Sequence, residues 1–339
     1  MLKEPQTIKQ QYPVVDLVKY ICALLVVSIH VAPLTSFFDQ IQIARYLDYG
    51  YKNCVARVAV PFFFAAAGFF LLRKIDIDKF DINVPKNYVF KLLRLLGVWT
   101  VLLFVGATDH LWYMRELIIA VCILSFLLYK GVSLQKIALL ASVLCLFGLL
   151  GDPYFGLLKP LRSCKVIDYV IEEYFRIFKT TRNGLFMGLP FLCLGGVIEK
   201  KKVSMRPLYA FLGFLLSMLA LLCEAFLVRK LELPKDVNMY IFVVPAVFFL
   251  LVFSVNVSVK QNKIYYSLRN VGTIVYFSHM FVYRFVILGW EIIGKVSGVE
   301  VNNSLLDYLL TITLSTGLGI LIDTLSKNKK YSFLKYLYS

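Results

Sequence analysis

The chain has 339 residues, of which 59% are hydrophobic, and its formal net charge is +16. This apolar share exceeds that of an ordinary soluble domain and favours a membrane protein, whose lipid-facing side chains are apolar. The seven cysteines are scattered without a CxxC pair, which argues against a zinc or disulfide framework, and we expect no metal site. Without a soluble basic domain, binding to nucleic acid is not expected either.

Apolar runs separated by charged or turn residues predict an all-α polytopic membrane protein in one domain, residues 1–339. The first run contains Asp16 and Lys19 and no small-residue cleavage site follows it, so we expect no cleavable signal peptide. The polar segment 151–183 predicts a long loop with an amphipathic helix near Val166–Phe178. About ten membrane-spanning helices are predicted, near residues 14–34, 54–72, 88–105, 111–129, 134–150, 184–199, 206–228, 239–256, 269–290 and 304–323.

Lysine and arginine are distributed unequally between the predicted loops. If the N-terminus is inside, the inner segments carry 21 of the 37 basic residues and almost all of the net positive charge. The positive-inside rule therefore predicts cytoplasmic N- and C-termini in the bacterial cell membrane, with 151–183 outside. Attraction to anionic membrane lipid accounts for this charge, and an anionic ligand approaching from the cytoplasm is the alternative that adds a function.

The first predicted helix carries ionisable residues on one face. Lys19 and His30 are eleven residues apart, about three helical turns, and Asp16 lies one turn before Lys19. A rise of 1.5 Å per residue separates Lys19 from His30 by about 16 Å, so they lie at different depths of the membrane. Lys19 alone is explained by snorkelling, and His30 alone by a structural hydrogen bond. Both on one face indicate a site.

Six groups of residues, in chain order, are similar to motifs of one family. They are Asp16-Leu17-Val18-Lys19 with His30; Val60-Pro61-Phe62-Phe63-Phe64 with Gly68-Phe69-Phe70; Lys91-Leu92-Leu93-Arg94; His110-Leu111-Trp112-Tyr113; Arg182-Asn183-Gly184-Leu185-Phe186 with Gly188-Leu189-Pro190-Phe191; and Ile274-Val275-Tyr276-Phe277-Ser278-His279. In this order they resemble the membrane-bound acyltransferase-3 family of bacterial O-acyltransferases. The chain also resembles the membrane half of vancomycin-resistance serine racemases.

The resemblance implies transfer of an acyl group, usually acetyl, from cytoplasmic acyl-coenzyme A to a hydroxyl or amine of an extracytoplasmic or cell-envelope acceptor. Cations at the inner edge suit the donor's phosphates: Lys19, Lys91, Arg94 and Arg73. A neutral His30 is the expected general base, with Glu116 orienting or charge-balancing it. The residues expected around the acceptor are Asp16, His110, Trp112, Tyr113, Arg115, Arg182, Asn183 and His279.

Other interpretations remain open for several of these residues. Trp112 and Tyr113 are also explained as interfacial aromatics, and His279 as a buried histidine that holds helices together. Lysine stands at 19 and 91 where the family usually has arginine, which keeps the charge but loses bidentate phosphate geometry. That departure favours the main alternative, an uptake or transport module that works with a fused or partner racemase. A purely structural anchor would not explain the charges within spans.

Overall fold

The computed structural model describes residues 11–39, 41–103, 108–298 and 302–339, and this part of the chain is all-helical, without a strand. Short 3₁₀ and π turns connect or extend the main helices. The α-helices are α1 Pro13–Val31, α2 Gln42–Gly50, α3 Ala59–Leu72, α4 Asn83–Leu102, α5 Trp112–Tyr129, α6 Leu134–Leu150, α7 Lys165–Phe178, α8 Leu189–Lys200, α9 Pro207–Lys230, α10 Val243–Asn256, α11 Lys263–Ser297 and α12 Ser304–Leu325.

Six helical segments of the described chain are long and apolar enough to cross a membrane. A seventh is added if α6 and the 3₁₀ segment Phe155–Ser163, bent by 74°, form one span. These segments are consistent with a membrane protein, while the number of ten spans stays a prediction. The six are Pro13–Val31, Gln42–Leu72, Asp109–Tyr129, Pro207–Lys230, Lys263–Ser297 and Ser304–Leu325.

Three of the ten predicted spans fall short for simple physical reasons. The helices α8 and α10 have 12 and 14 residues, and at 1.5 Å per residue neither covers a hydrocarbon core of about 30 Å. The helix α4 has 20 residues but carries Lys86, Lys91 and Arg94, which lower its hydropathy. Over most of their described residues, all three predicted segments are nevertheless helical.

The central helix is α1, which lies against α3, α11 and α12. It begins at Pro13, whose missing N–H costs nothing in the first helical turn. It ends at Val31, where Ala32 adopts a left-handed conformation and donates its N–H to the carbonyl of Ser28. The helix is unbroken between Pro13 and Val31, so its two ends lie in two different regions of the protein.

The most extensive helix pair is α3 with α8, and two glycines make it possible. A Cβ atom on Gly68 would lie 2.7 Å from the carbonyl carbon of Leu192, and one on Gly195 would lie 2.7 Å from that of Ala65. The two backbones therefore touch directly, as small residues permit in membrane helices. This contact holds the segment that precedes α8 beside α5.

The amphipathic helix predicted near Val166–Phe178 is confirmed as α7, Lys165–Phe178. Ile171 of this helix is buried, whereas Val166, Val170 and Ile177 are exposed. An exposed apolar stripe beside a charged face is typical of a helix that lies on a membrane surface.

Candidate functional site

A large cavity of about 1110 Å³ opens among α1, α3, α4, α5 and α11. Its lining contains one acid, Asp16, together with five cations: Lys19, Arg73, Lys74, Lys91 and Arg269. We call it the basic cavity. Its volume is slightly above the range of roughly 300–1,000 Å³ that is usual for ligand pockets, and its charge suits a polyanion.

Aromatic rings hold two of these cations in place. The ammonium of Lys19 lies 4.6 Å from the ring centroid of Phe70. The guanidinium of Arg73 lies 4.9 Å from the ring centroid of Tyr12 and also donates a hydrogen bond to the Tyr12 hydroxyl. Cation–π contacts of this kind orient a cation without neutralising its charge.

The structure separates Arg94 from the other predicted donor residues. Its guanidinium donates to a main-chain oxygen of Ser339 and lies 5.0 Å from the ring centroid of Tyr336. Lys19, Lys91 and Arg73 line the basic cavity, whereas Arg94 is not among the described residues that line it. The i, i+3 spacing placed Lys91 and Arg94 on one helix face, but Arg94 is exposed and contacts the C-terminal segment instead.

All three histidines of the chain meet near the C-terminal end of α1. The ring centroids of His30 and His279 are 5.2 Å apart, those of His110 and His279 are 4.8 Å apart, and those of His30 and His110 are 6.4 Å apart. A small cavity of about 60 Å³ adjoins them and is lined by His30, His110, Trp112 and Arg182, among others. We call this cavity the histidine chamber.

Hydrogen bonds define the tautomers of two of these rings. The Nδ1 atom of His279 lies 2.7 Å from the carbonyl oxygen of Tyr276, so Nδ1 carries the hydrogen and Nε2 carries a lone pair. The Nε2 atom of His110 lies 3.0 Å from the carbonyl oxygen of Phe277 and is a donor for the same reason. His30 is half-buried and forms no hydrogen bond with another described residue, so its ring is available to a ligand in the chamber.

An aromatic wall divides the basic cavity from the histidine chamber. Tyr113 and Tyr276 line both cavities, and their ring centroids are 5.7 Å apart. Phe63 packs 5.7 Å from the ring of Tyr113 and 6.2 Å from that of Tyr276. The Tyr276 hydroxyl donates to the carbonyl oxygen of His110 at 2.6 Å, which fixes the wall to the histidine cluster. Only side chains therefore separate the two cavities at this point.

Two arginines enter the histidine chamber from different segments. Arg57 and Arg182 each donate to the same side-chain oxygen of Asn238, both at 3.3 Å. The guanidinium of Arg182 also stacks 4.5 Å from the ring centroid of Trp112. Among the described residues, neither arginine forms an ion pair with a carboxylate.

The nearest carboxylate in this network is that of Asp152, one layer behind the arginines. It accepts hydrogen bonds from the backbone N–H of Asn238 at 2.8 Å, from the Asn238 amide at 3.2 Å and from the backbone N–H of Met239 at 3.3 Å. Burial raises the pKa of the Asp152 carboxyl to about 6, despite these hydrogen bonds. Asp152 thus fixes the orientation of the Asn238 amide, and the amide oxygen faces the arginines.

Three other residues predicted for the site have local structural roles or lie outside it. Glu116 accepts the backbone N–H of Gly184 at 2.6 Å and does not contact the histidine cluster. The side chain of Asn183 accepts the N–H groups of Leu185 and Phe186 and caps the π turn before α8. Arg115 is exposed on α5. The i, i+4 spacing that linked Trp112 to Glu116 does not bring Glu116 into the chamber.

Two cations and one amide of the cavities were missed by the sequence analysis. Arg57 lies within a predicted span, and that placement alone would have marked it as a candidate. Arg269 lies at the start of another predicted span, where the positive-inside rule alone explains a basic residue. Nothing local marks Asn238, whose position depends on the fold.

Comparison with known proteins shows similarity to bacterial proteins that are named as racemases. The chain is 28% identical over 353 residues to an amino-acid racemase of Enterococcus faecalis, which covers 96% of the chain and 47% of that protein. It is 28% identical over 329 residues to a serine/alanine racemase of Enterococcus gallinarum, which covers 89% of the chain and 45% of that protein. The chain therefore spans about half the length of the curated relatives it matches.

No protein-family model matches the chain, and no solved structure matches it significantly. The resemblance to the acyltransferase-3 family therefore remains a prediction from its motifs. The similarity that is found links the chain to proteins named as amino-acid racemases.

Proposed function

We propose that the chain is a membrane-embedded acyltransferase that moves an acyl group from acyl-coenzyme A in the basic cavity to an acceptor in the histidine chamber. The observation that carries this proposal is the pairing of a large cationic cavity with a histidine cluster across a wall of side chains. The cavity suits the phosphates of the donor, and only side chains would have to move for a pantetheine arm to reach the histidine chamber.

The proposed reaction assigns one proton-transfer role to His30. The imidazole ring takes the proton of the acceptor hydroxyl or amine while the acceptor's oxygen or nitrogen bonds to the thioester carbon. The carbon–sulfur bond then breaks, and His30 returns the proton to the departing thiolate of coenzyme A. We choose His30 over His279 because His30 lines the chamber, whereas His279 is fully buried behind it.

The two-sided arrangement requires a defined orientation in the membrane. We propose that all ten predicted segments cross the membrane, α8 and α10 with the help of the turns that precede them, and that both termini lie in the cytoplasm of the bacterial cell. The basic cavity then lies at the cytoplasmic side. The inner charge excess supports this orientation. On this topology α1 carries Lys19 near the donor side and His30 about 16 Å deeper, a distance of the order that a pantetheine arm spans.

A second function deserves a test because the relatives are named as racemases. In this alternative the chain admits a small amino acid for a fused or partner racemase and performs no covalent chemistry. The two cavities separated by a wall are then two ends of one substrate path.

Release of coenzyme A thiol from acetyl-coenzyme A, measured on the purified protein in lipid nanodiscs, distinguishes the two functions. The acyltransferase is expected to bind the donor and to hydrolyse it slowly when water replaces the acceptor. His30→Gln, which keeps a polar side chain of similar size, should lower this turnover about 10²–10⁴-fold and leave donor binding largely intact.

Lys136→Ala, on the exposed surface of α6, controls for general effects of substitution. Absence of donor binding and hydrolysis in the wild-type protein would reject the acyltransferase and favour uptake. Full turnover in His30→Gln would instead reject the base and leave the acyltransferase standing.

A further inference from the structure

We infer that Arg57 and Arg182 form a binding site for a carboxylate group in the histidine chamber. Two guanidinium groups there share a single neutral acceptor, the side-chain oxygen of Asn238. The Nε atoms of both arginines are buried and have no hydrogen-bond partner among the described residues. The inference rests on the proposed function only in calling the bound molecule its acceptor.

The charge balance of this network favours a further anion. Two half-buried positive charges that share a neutral amide repel each other, and their buried Nε donors are left unsatisfied, which is costly away from water. Asp152 lies on the far side of Asn238 and uses its oxygens on Asn238 and Met239. A carboxylate between the two guanidinium groups would accept hydrogen bonds from both and neutralise them at short range.

The geometry of the arginines is already arranged for such a ligand. Asn238 is held in one orientation because arginine can only donate and the Asp152 carboxylate accepts from the opposite end of the amide. Stacking on Trp112 fixes the plane of the Arg182 guanidinium. Preorganised planar donors favour a planar, two-oxygen anion.

The size of the chamber restricts what else the ligand contains. A volume of about 60 Å³ holds on the order of five water-sized groups. A carboxylate with a few further atoms fits, whereas a sugar ring does not fit without movement of the walls. His30 lines the same chamber, so a hydroxyl or amine two or three bonds from the carboxylate would lie beside its ring.

Binding of serine and of ethanolamine to the purified protein tests this site directly. Ethanolamine has the hydroxyl and amine of serine and lacks only the carboxylate. Wild-type protein in nanodiscs should bind radiolabelled serine, with ethanolamine at least roughly tenfold weaker. Inorganic phosphate, added as a competitor, distinguishes a carboxylate site from a phosphate site.

Arg57→Gln and Arg182→Gln should each weaken serine binding roughly tenfold or more, because each removes a charge-assisted contact. Arg45→Gln is the matched control, since Arg45 is an exposed arginine on α2 that pairs with Asp39. The two variants lie on separate segments, so misfolding of one leaves the other to decide, with monodispersity in detergent as the check.

Equal affinity for serine and ethanolamine, unchanged serine binding in both folded variants, or binding of phosphate without serine would each overturn the carboxylate site. The assay uses no acyl donor, so its result is independent of acyl transfer. Serine binding that depends on both arginines, in a protein that never cleaves acetyl-coenzyme A, would keep this site and reject the proposed acyltransferase. Transfer to an acceptor without a carboxylate, unaffected by Arg57→Gln, would do the reverse.

Discussion

The ionisable residues of α1 contact different surroundings at its two ends. Lys19 lies in the basic cavity over the ring of Phe70, and His30 lies beside two other histidines. Helical geometry places residues eleven positions apart on one face, so the separation could be predicted from sequence. The partners of His30 could not, because His110 and His279 come from distant segments and meet only in the folded chain.

At the scale of single residues, substitution of Lys19 tests the proposed donor site. We expect Lys19→Ala to weaken acyl-coenzyme A binding about tenfold or more, because a charge-assisted phosphate contact contributes roughly 1.5–3 kcal/mol. Rising salt should weaken wild-type binding as well, since it screens the cationic lining. Equilibrium binding of labelled donor measures both effects.

Lys136→Ala removes the same charge from an exposed position and should bind the donor like the wild type. Arg94→Ala is expected to have a small effect, because Arg94 is exposed and does not itself line the cavity. If Lys19→Ala and Lys136→Ala bind the donor equally well, Lys19 has no part in the donor site.

The helices themselves were more predictable than their membrane-spanning length. The amphipathic pattern of α7 predicted its bounds closely, since a charged face and an apolar stripe repeat at the helical period. The short α8 and α10 could not be distinguished from full spans by hydropathy alone, because their apolar runs continue into turns and loops. Direct contact between α3 and α8 depends on glycines whose neighbours only the fold reveals.

At the scale of elements, Gly195→Ala should destabilise the protein by about 1–3 kcal/mol or more. The new methyl group would overlap the carbonyl of Ala65 on α3, so one of the two helices must move. Thermal unfolding in detergent, followed by intrinsic fluorescence or by the size-exclusion profile after heating, measures the change.

Gly97→Ala on α4 is the matched control, because a Cβ atom there meets nothing within 4 Å. That variant should be as stable as the wild type or slightly more stable, since alanine is the better helix former. Equal midpoints for Gly195→Ala and Gly97→Ala would contradict the close backbone contact.

At the scale of the whole molecule, the basic cavity and the histidine chamber lie on either side of an aromatic wall, and apolar side chains are exposed on the outer faces of the described helices. On α9, for example, Leu208, Leu215, Leu216 and Leu219 are exposed. Such a surface is costly in water and is the one expected against lipid. Composition was sufficient to predict this class of protein, but the wall and both cavities arise from contacts between distant segments.

The orientation of the whole molecule is tested by single cysteines placed at exposed lysines. Lys201→Cys and Lys329→Cys should react with a membrane-impermeant maleimide only after the cells are opened, and Lys165→Cys should react in intact cells. The exposed native cysteines Cys122, Cys164 and Cys223 should first be replaced with serine. Reaction of residue 201 in intact cells would reverse the topology and move the basic cavity to the outside.

The backbone contact between α3 and α8 has a consequence for how ligands exchange. Neither helix can slide along the other without a clash between main chains, so the pair acts as a fixed post in the protein. Phe63 of the aromatic wall belongs to this post. By contrast, α4 carries Lys91 and exposes Phe90, Leu93 and Val101, so no other described helix packs against that side. We therefore expect α4, and not the post, to move when a donor enters the basic cavity from its cytoplasmic side, while the side chains of the wall shift to admit the pantetheine arm.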